Sequence, residues 1–242
     1  MTDVSATGEP LTFPSGDLIL EGLFHRPRAV PYPAAVVCHP HPLYGGDMHN
    51  YVVTALCQAL AESGIAALRF NYRGVGGSEG KFGDGVGERA DAAAALAHLR
   101  HLAEVAPGKV GIIGYSFGAA VALVAADRDV AAVDQDKMGI IGYSFGAMIA
   151  LAAADERVAA VAAISPPSLG QGVRDLAVRC PTLLISGEQD EFAPPASLSA
   201  LATTIGPHCQ MSVVRGADHF WCGYEKELAQ VVAQFFRECL IG

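Results

Sequence analysis

The chain has 242 residues, of which 51% are hydrophobic and only 17% charged, with a formal net charge of −9. That length suits one domain with its own core, and the composition excludes disorder. The acidic balance argues against a nucleic-acid partner, whose phosphates need Lys and Arg, and no apolar run reaches the ~20 residues of a membrane span.

The first ~30 residues hold Gly16-Asp17 between alternating runs, with Leu18, Leu20, Gly22 and Phe24 on one parity, which predicts an antiparallel hairpin. A buried strand is expected over 34–38, then a Pro/Gly loop, a helix over 50–63 and a second strand over 65–70. A Gly-rich stretch, residues 73–80, precedes a long helix over 87–104. Two strand–turn–helix units follow, then strands over 158–164, 182–186 and 211–214, with helices over 196–205 and 224–238. Uninterrupted apolar strands alternating with helices predict a mostly parallel, twisted α/β sheet covered on both faces. No linker divides the chain, so residues 1–242 are read as one domain.

Residues 110–133 and 138–161 align without gaps and are identical at 18 of 24 positions, the reading of a tandem duplication of one βα unit. The extra unit either joins an enlarged sheet, loops out, or swaps into a second subunit to make a homodimer. Residues 130–133 are expected to extend the first unit's helix, because the joining segment is too short for a parallel crossover.

Both units carry Gly-x-Ser-x-Gly, around Ser116 and Ser144, after a short buried strand and before an Ala-rich helix. This is the setting of a nucleophile elbow, which lifts a serine hydroxyl above the strand ends. A serine needs a base, and the base a carboxylate. The strand at 182–186 runs into Glu188, Asp190 and Glu191, any of which supplies a carboxylate, and the strand at 211–214 runs into Asp218 and His219. Asp218 is too close in sequence to orient His219. An oxyanion hole needs two backbone N–H donors. One is expected from Phe117 or Phe145. The other is expected from the loop after the first parallel strand, where Pro40 and Pro42 have no N–H, leaving His41 first and Leu43 next. Tyr44, Phe220 and Trp221 are candidates for a pocket wall. His39 and His41 have the look of a metal pair but lack a third ligand at suitable spacing, so no metal is expected. Residues 74–80 lack the Gly-Lys-Ser/Thr ending of a phosphate loop, and no cofactor is expected.

Taken together, the segments 38–46 and 70–78, the two elbows and the Asp190 and His219 loops resemble the serine α/β-hydrolases of the esterase and dienelactone-hydrolase-like group, from about residue 15 onward. The resemblance implies the α/β-hydrolase fold, Asp190 as the acid and His219 as the base. Dienelactone hydrolase itself uses a Cys nucleophile, whereas both elbows here carry Ser. About sixteen residues separate the strands on either side of Pro166-Pro167, too few for a cap domain, which favours small soluble esters. The short turns flanking each unit tie Ser116 to the side of His41 and Ser144 to the side of Asp190 and His219. Ser144 is therefore expected to be the principal nucleophile and Ser116 a second, partly competent one. The rival readings are a non-catalytic binding or scaffold protein on this fold, or the same triad serving a thioesterase, peptidase or acyltransferase. The six cysteines form no C-x-x-C pair, and the N-terminus has neither a basic nor an apolar leader region, so reduced thiols and a cytoplasmic location are expected.

Overall fold

The computed structural model describes residues 8–125, 138–154, 158–167 and 178–241. Among the described residues, nine strands form one sheet in the order β1-β2-β4-β3-β5-β6-β7-β8-β9. The strands are β1 (Glu9–Ser15), β2 (Leu18–His25), β3 (Tyr32–Cys38), β4 (Ala66–Phe70), β5 (Val105–Tyr115), β6 (Met138–Tyr143), β7 (Ala160–Ile164), β8 (Thr182–Gly187) and β9 (Cys209–Val214). The helices are α1 (Tyr51–Glu62), α2 (Val86–Arg100), α3 (Phe117–Ala125), α4 (Phe145–Ala152), α5 (Pro195–Ile205) and α6 (Glu225–Ile241). β1, β2 and β4 pair antiparallel and every later neighbour pairs parallel. This is the α/β-hydrolase fold with the expected N-terminal hairpin.

Strands β4, β7 and β8 are buried along their whole length, because helices cover both faces of the sheet. Leu96, Val121, Met148 and Leu198, from α2 to α5, pack on one face. Val53, Leu60, Val232 and Phe236, from α1 and α6, pack on the other. Local signals start the elements. Asn50 Oδ1 accepts the N–H groups of Val52 and Val53 and so caps α1. At the hairpin, Gly16 takes φ +59°, a conformation that a side chain would strain.

Several boundaries differ from the sequence expectation: β9 begins at Cys209 rather than 211, and α6 runs on to Ile241 rather than ending at 238. α2 stops at Arg100 rather than near 104, because Tyr32 pairs with Val105 and draws the following residues into β5. The register then shifts between Tyr32 and Ala34, so Ala106, Pro107, Gly108 and Lys109 form an irregular part of that strand rather than a free turn. β7 begins at Ala160, not 158. The expected helix extension over 130–133 and the turn at 155–157 lie outside the described residues, as does most of the segment after Pro167.

The two near-identical units stand side by side in the sheet, with Tyr115 of β5 opposite Ile141 of β6. The strands of both units thus lie within the sheet, and neither loops out. The Gly-rich stretch is tied to the protein's own carboxylates. Glu21 accepts the Gly77 N–H at 2.7 Å and the Asn71 amide at 2.7 Å, so a carboxylate stands where a phosphate cradle would hold its anion. Among the described residues, no helix is long and apolar enough to cross a membrane.

Candidate active site

Each elbow is built by its own glycines. A Cβ on Gly142 would fall on the Gly146 carbonyl oxygen, and one on Gly114 on the Gly118 carbonyl oxygen. Only glycine lets the strand turn so sharply into the helix. The turn forces Ser116 to φ +58° and Ser144 to φ +54°, a region that costs a non-glycine residue about 1–3 kcal/mol. The two elbows match in conformation and differ in their surroundings.

The sheet order decides those surroundings. Ser144 directly follows β6. Two strands away, beyond β7, β8 leads to Asp190, and the edge strand β9 leads to His219. His219 Nε2 lies 3.1 Å from Ser144 Oγ, and His219 Nδ1 lies 2.9 and 3.0 Å from the two Asp190 oxygens. The carboxylate only accepts, so Nδ1 carries the proton and Nε2 presents its lone pair to the serine. The Asp190 side chain is fully buried, and its Oδ1 also accepts the Phe192 and Ala193 N–H groups. Those bonds hold the carboxylate independently of the imidazole.

The His219 loop is held from three sides. Tyr143 Oη donates to the His219 carbonyl at 2.7 Å. Asp218 Oδ1 accepts the N–H groups of Phe220 and Trp221, which explains why this neighbour shapes the loop instead of orienting the ring. Trp221 was expected in a pocket wall. Its indole is instead 1% exposed in the core, with Nε1 donating to Ser165 Oγ at 3.0 Å. A tryptophan at φ +61° anchors the loop by burying a large apolar ring. Phe220 does face solvent beside the imidazole, and so does Phe192, whose ring centroid lies 4.8 Å from that of His219.

Phe192 and Tyr143 are the residues that the sequence reading missed. Both sit within two positions of a residue it singled out. Burial pushes the Tyr143 phenol up to about 12, so it remains a hydrogen-bond donor. Of the other carboxylates, Glu188 accepts the Gly216 N–H, while Glu191 is exposed.

The other half of the expected site lies beside the first elbow. β3 pairs with β5, not with β6, so its trailing loop abuts the first elbow at Gly118. The His41 ring packs 4.5 Å from Phe117, centroid to centroid. Leu43 was the second choice as a loop donor, but its N–H is directed at His41 Nδ1 at 3.2 Å. Leu43 and Tyr44 are 70% and 87% exposed. His39 is fully buried. Its Nδ1 donates to the Pro40 carbonyl at 2.7 Å and its Nε2 accepts the Tyr72 N–H at 3.2 Å, so backbone engages both ring nitrogens. Burial holds its pKa down at about 4. The fold therefore brings together Ser144, His219 and Asp190, and leaves Ser116 with His41 one strand away.

Two family models match the chain. X-Pro dipeptidyl-peptidase (S15 family) covers residues 20–135, and PET hydrolase-like covers residues 119–236. The first contains Ser116 alone; the second contains Ser144, Asp190 and His219. An α/β serine hydrolase homologue from Coxiella burnetii is 32% identical, with 97% of each chain covered and a TM-score of 0.57. An α/β serine hydrolase without a lid from Xanthomonas campestris is 27% identical over 97% of this chain and 96% of that one, TM-score 0.57. A Rickettsia prowazekii protein is 46% identical over 104 residues, and that match spans 43% of this chain and 43% of the relative. The near-complete coverage by the Coxiella structure, on top of the sheet order, makes the chain a member of the α/β serine hydrolase superfamily.

Proposed function

We propose that the protein hydrolyses small carboxylic esters through an acyl-enzyme on Ser144, with His219 as general base and acid and Asp190 as its orienting carboxylate. The observation that carries this reading is the continuous chain Ser144 Oγ, His219 Nε2, His219 Nδ1, Asp190, with contacts of 3.1 and 2.9 Å. Nε2 takes the Ser144 proton as Oγ bonds to the ester carbon, and the carbonyl π pair moves onto its oxygen. The Phe145 N–H and the N-terminus of α4 receive that charge. The tetrahedral species collapses, the C–O bond to the alcohol breaks, and Nε2 returns its proton to the leaving oxygen. Water then attacks the acyl-enzyme, again giving its proton to Nε2, and releases the acid and free Ser144.

The exposed aromatics Phe192 and Phe220 flank His219, where the leaving group departs, and support an apolar alcohol portion. The segment between β7 and β8 is short, which supports an open site. The test is turnover of p-nitrophenyl acetate and butyrate. The expected result is hydrolysis abolished by a stoichiometric organophosphonate. Absence of both turnover and labelling overturns the reading.

A further inference from the structure

In a serine acyl transfer the leaving oxygen must meet His219 Nε2, which protonates it. His219 reaches Ser144 from the β8–β9 side of the sheet. The remaining substituents on the carbonyl carbon, the oxygen and the acyl group, therefore extend the other way, toward β5. What stands there differs between the two elbows.

Beside the first elbow, Cys38 pairs with Gly114, and the chain runs on past that level through His39, a bend at Pro40 and His41. A Cβ on Gly118 would strike the Cys38 carbonyl oxygen and lie 2.8 Å from that of His39. Beside the second elbow, the pairing of Tyr115 with Ile141 brings Ser116 level with Gly142, the counterpart of Gly114. At that level β5 has already ended and the chain turns into α3. Among the described residues, no strand continues alongside the first turn of α4. Among the described residues, a Cβ on Gly146, the counterpart of Gly118, meets nothing within 4 Å. On α4, Phe145 is 63% and Ile149 56% exposed, at one position before and three after Gly146. Phe145 and Ile149, four positions apart, are neighbours on the helix surface, and Ile149 lies three positions beyond Gly146.

We infer that the open interval beside Gly146 is the acyl subsite, and that it takes an unbranched apolar acyl group longer than acetyl. The inference rests on Ser144 being the nucleophile. The interval exists because the second βα unit adds a strand between β3 and the serine that carries the base. Phe145 and Ile149 give it an apolar rim, and Gly146 leaves its floor without a side chain. A larger residue at 146 fills the room for the outer methylenes of the acyl chain.

The experiment measures kcat/KM of wild type and Gly146→Leu for p-nitrophenyl acetate and hexanoate. The hexanoate-to-acetate ratio should fall at least about tenfold in the variant, the scale set by losing the burial of two or more methylenes. Gly146→Ala should shift the ratio in the same direction by a smaller factor, and it serves if the leucine variant does not fold. A ratio unchanged in both variants overturns the subsite while leaving the esterase reading intact. A wild type that hydrolyses neither ester overturns that reading, and the subsite with it.

Discussion

Replacing Gly118 by Ala and Gly146 by Ala makes the same change in two copies of one nonapeptide, and the two outcomes should have opposite signs. At Gly118 the new methyl would strike the Cys38 carbonyl oxygen and crowd the Cys38 carbon and His39 oxygen, each at 2.8 Å. All are backbone atoms of fully buried residues, so none can swing aside. Overpacking of this kind costs about 1–3 kcal/mol, against at most ~1 kcal/mol gained by replacing a helical glycine. At Gly146 there is no neighbour within 4 Å among the described residues, and only the gain remains. One kcal/mol moves the melting temperature of a chain this size by about 2–4 °C. Gly118→Ala should therefore melt several degrees lower, and Gly146→Ala as much as about 4 °C higher. Differential scanning calorimetry of the two variants under one condition reads both. Equal shifts, or a stabilised Gly118→Ala, would refute the claim that β3 abuts only the first elbow.

Asp190→Asn should cut kcat by up to ~10⁴ with the fold intact, since Asn Oδ1 still accepts the Phe192 and Ala193 N–H groups while the imidazole loses its anion. Glu188→Gln should leave kcat within about threefold, and steady-state kinetics on both variants checks the assignment of the acid. Tyr143→Phe removes the 2.7 Å bond to the His219 carbonyl and should cost about 1 kcal/mol of stability and several-fold in kcat. Unchanged melting and unchanged kcat would show that the bond holds nothing. For His39, the folded pKa of about 4 lies below the ordinary 6.5, so between these values the unfolded chain binds a proton that the native chain does not. Its contribution is complete above pH 6.5 and is lost as pH falls toward 4, by up to about 3 kcal/mol. The melting temperature should fall more steeply across that window in wild type than in His39→Gln, and equal slopes would contradict it.

Much of this was legible in the chain because it is local. The alternation around Gly16, the apolar strand runs and both elbows are short-range signals, and each corresponds to an element of the fold. The chain order of Ser144, Asp190 and His219 pointed to three loops at one end of the sheet, those after β6, β8 and β9. What was not legible depends on contacts between distant segments. Two identical nonapeptides cannot announce which one meets the base, because the strand order sets that. The flanking turns gave only the direction. The separation of His41 from Ser144 by β5 follows from the same pairing and has no signature in the loop itself. Trp221 reads as an aromatic beside the histidine, and only the position of Ser165 tells that it points inward. Glu21 serves Gly77 across 56 residues, a partnership that no periodicity reveals.

The central claim is that Ser144, not Ser116, is the serine that the base activates. The most direct measurement is reaction with an organophosphonate followed by mass-spectrometric location of the adduct, with Ser144→Ala and Ser116→Ala assayed beside the wild type. The account predicts an adduct on Ser144, loss of kcat by 10³-fold or more in Ser144→Ala, and a smaller loss in Ser116→Ala. An adduct on Ser116, with full activity in Ser144→Ala and none in Ser116→Ala, would contradict it.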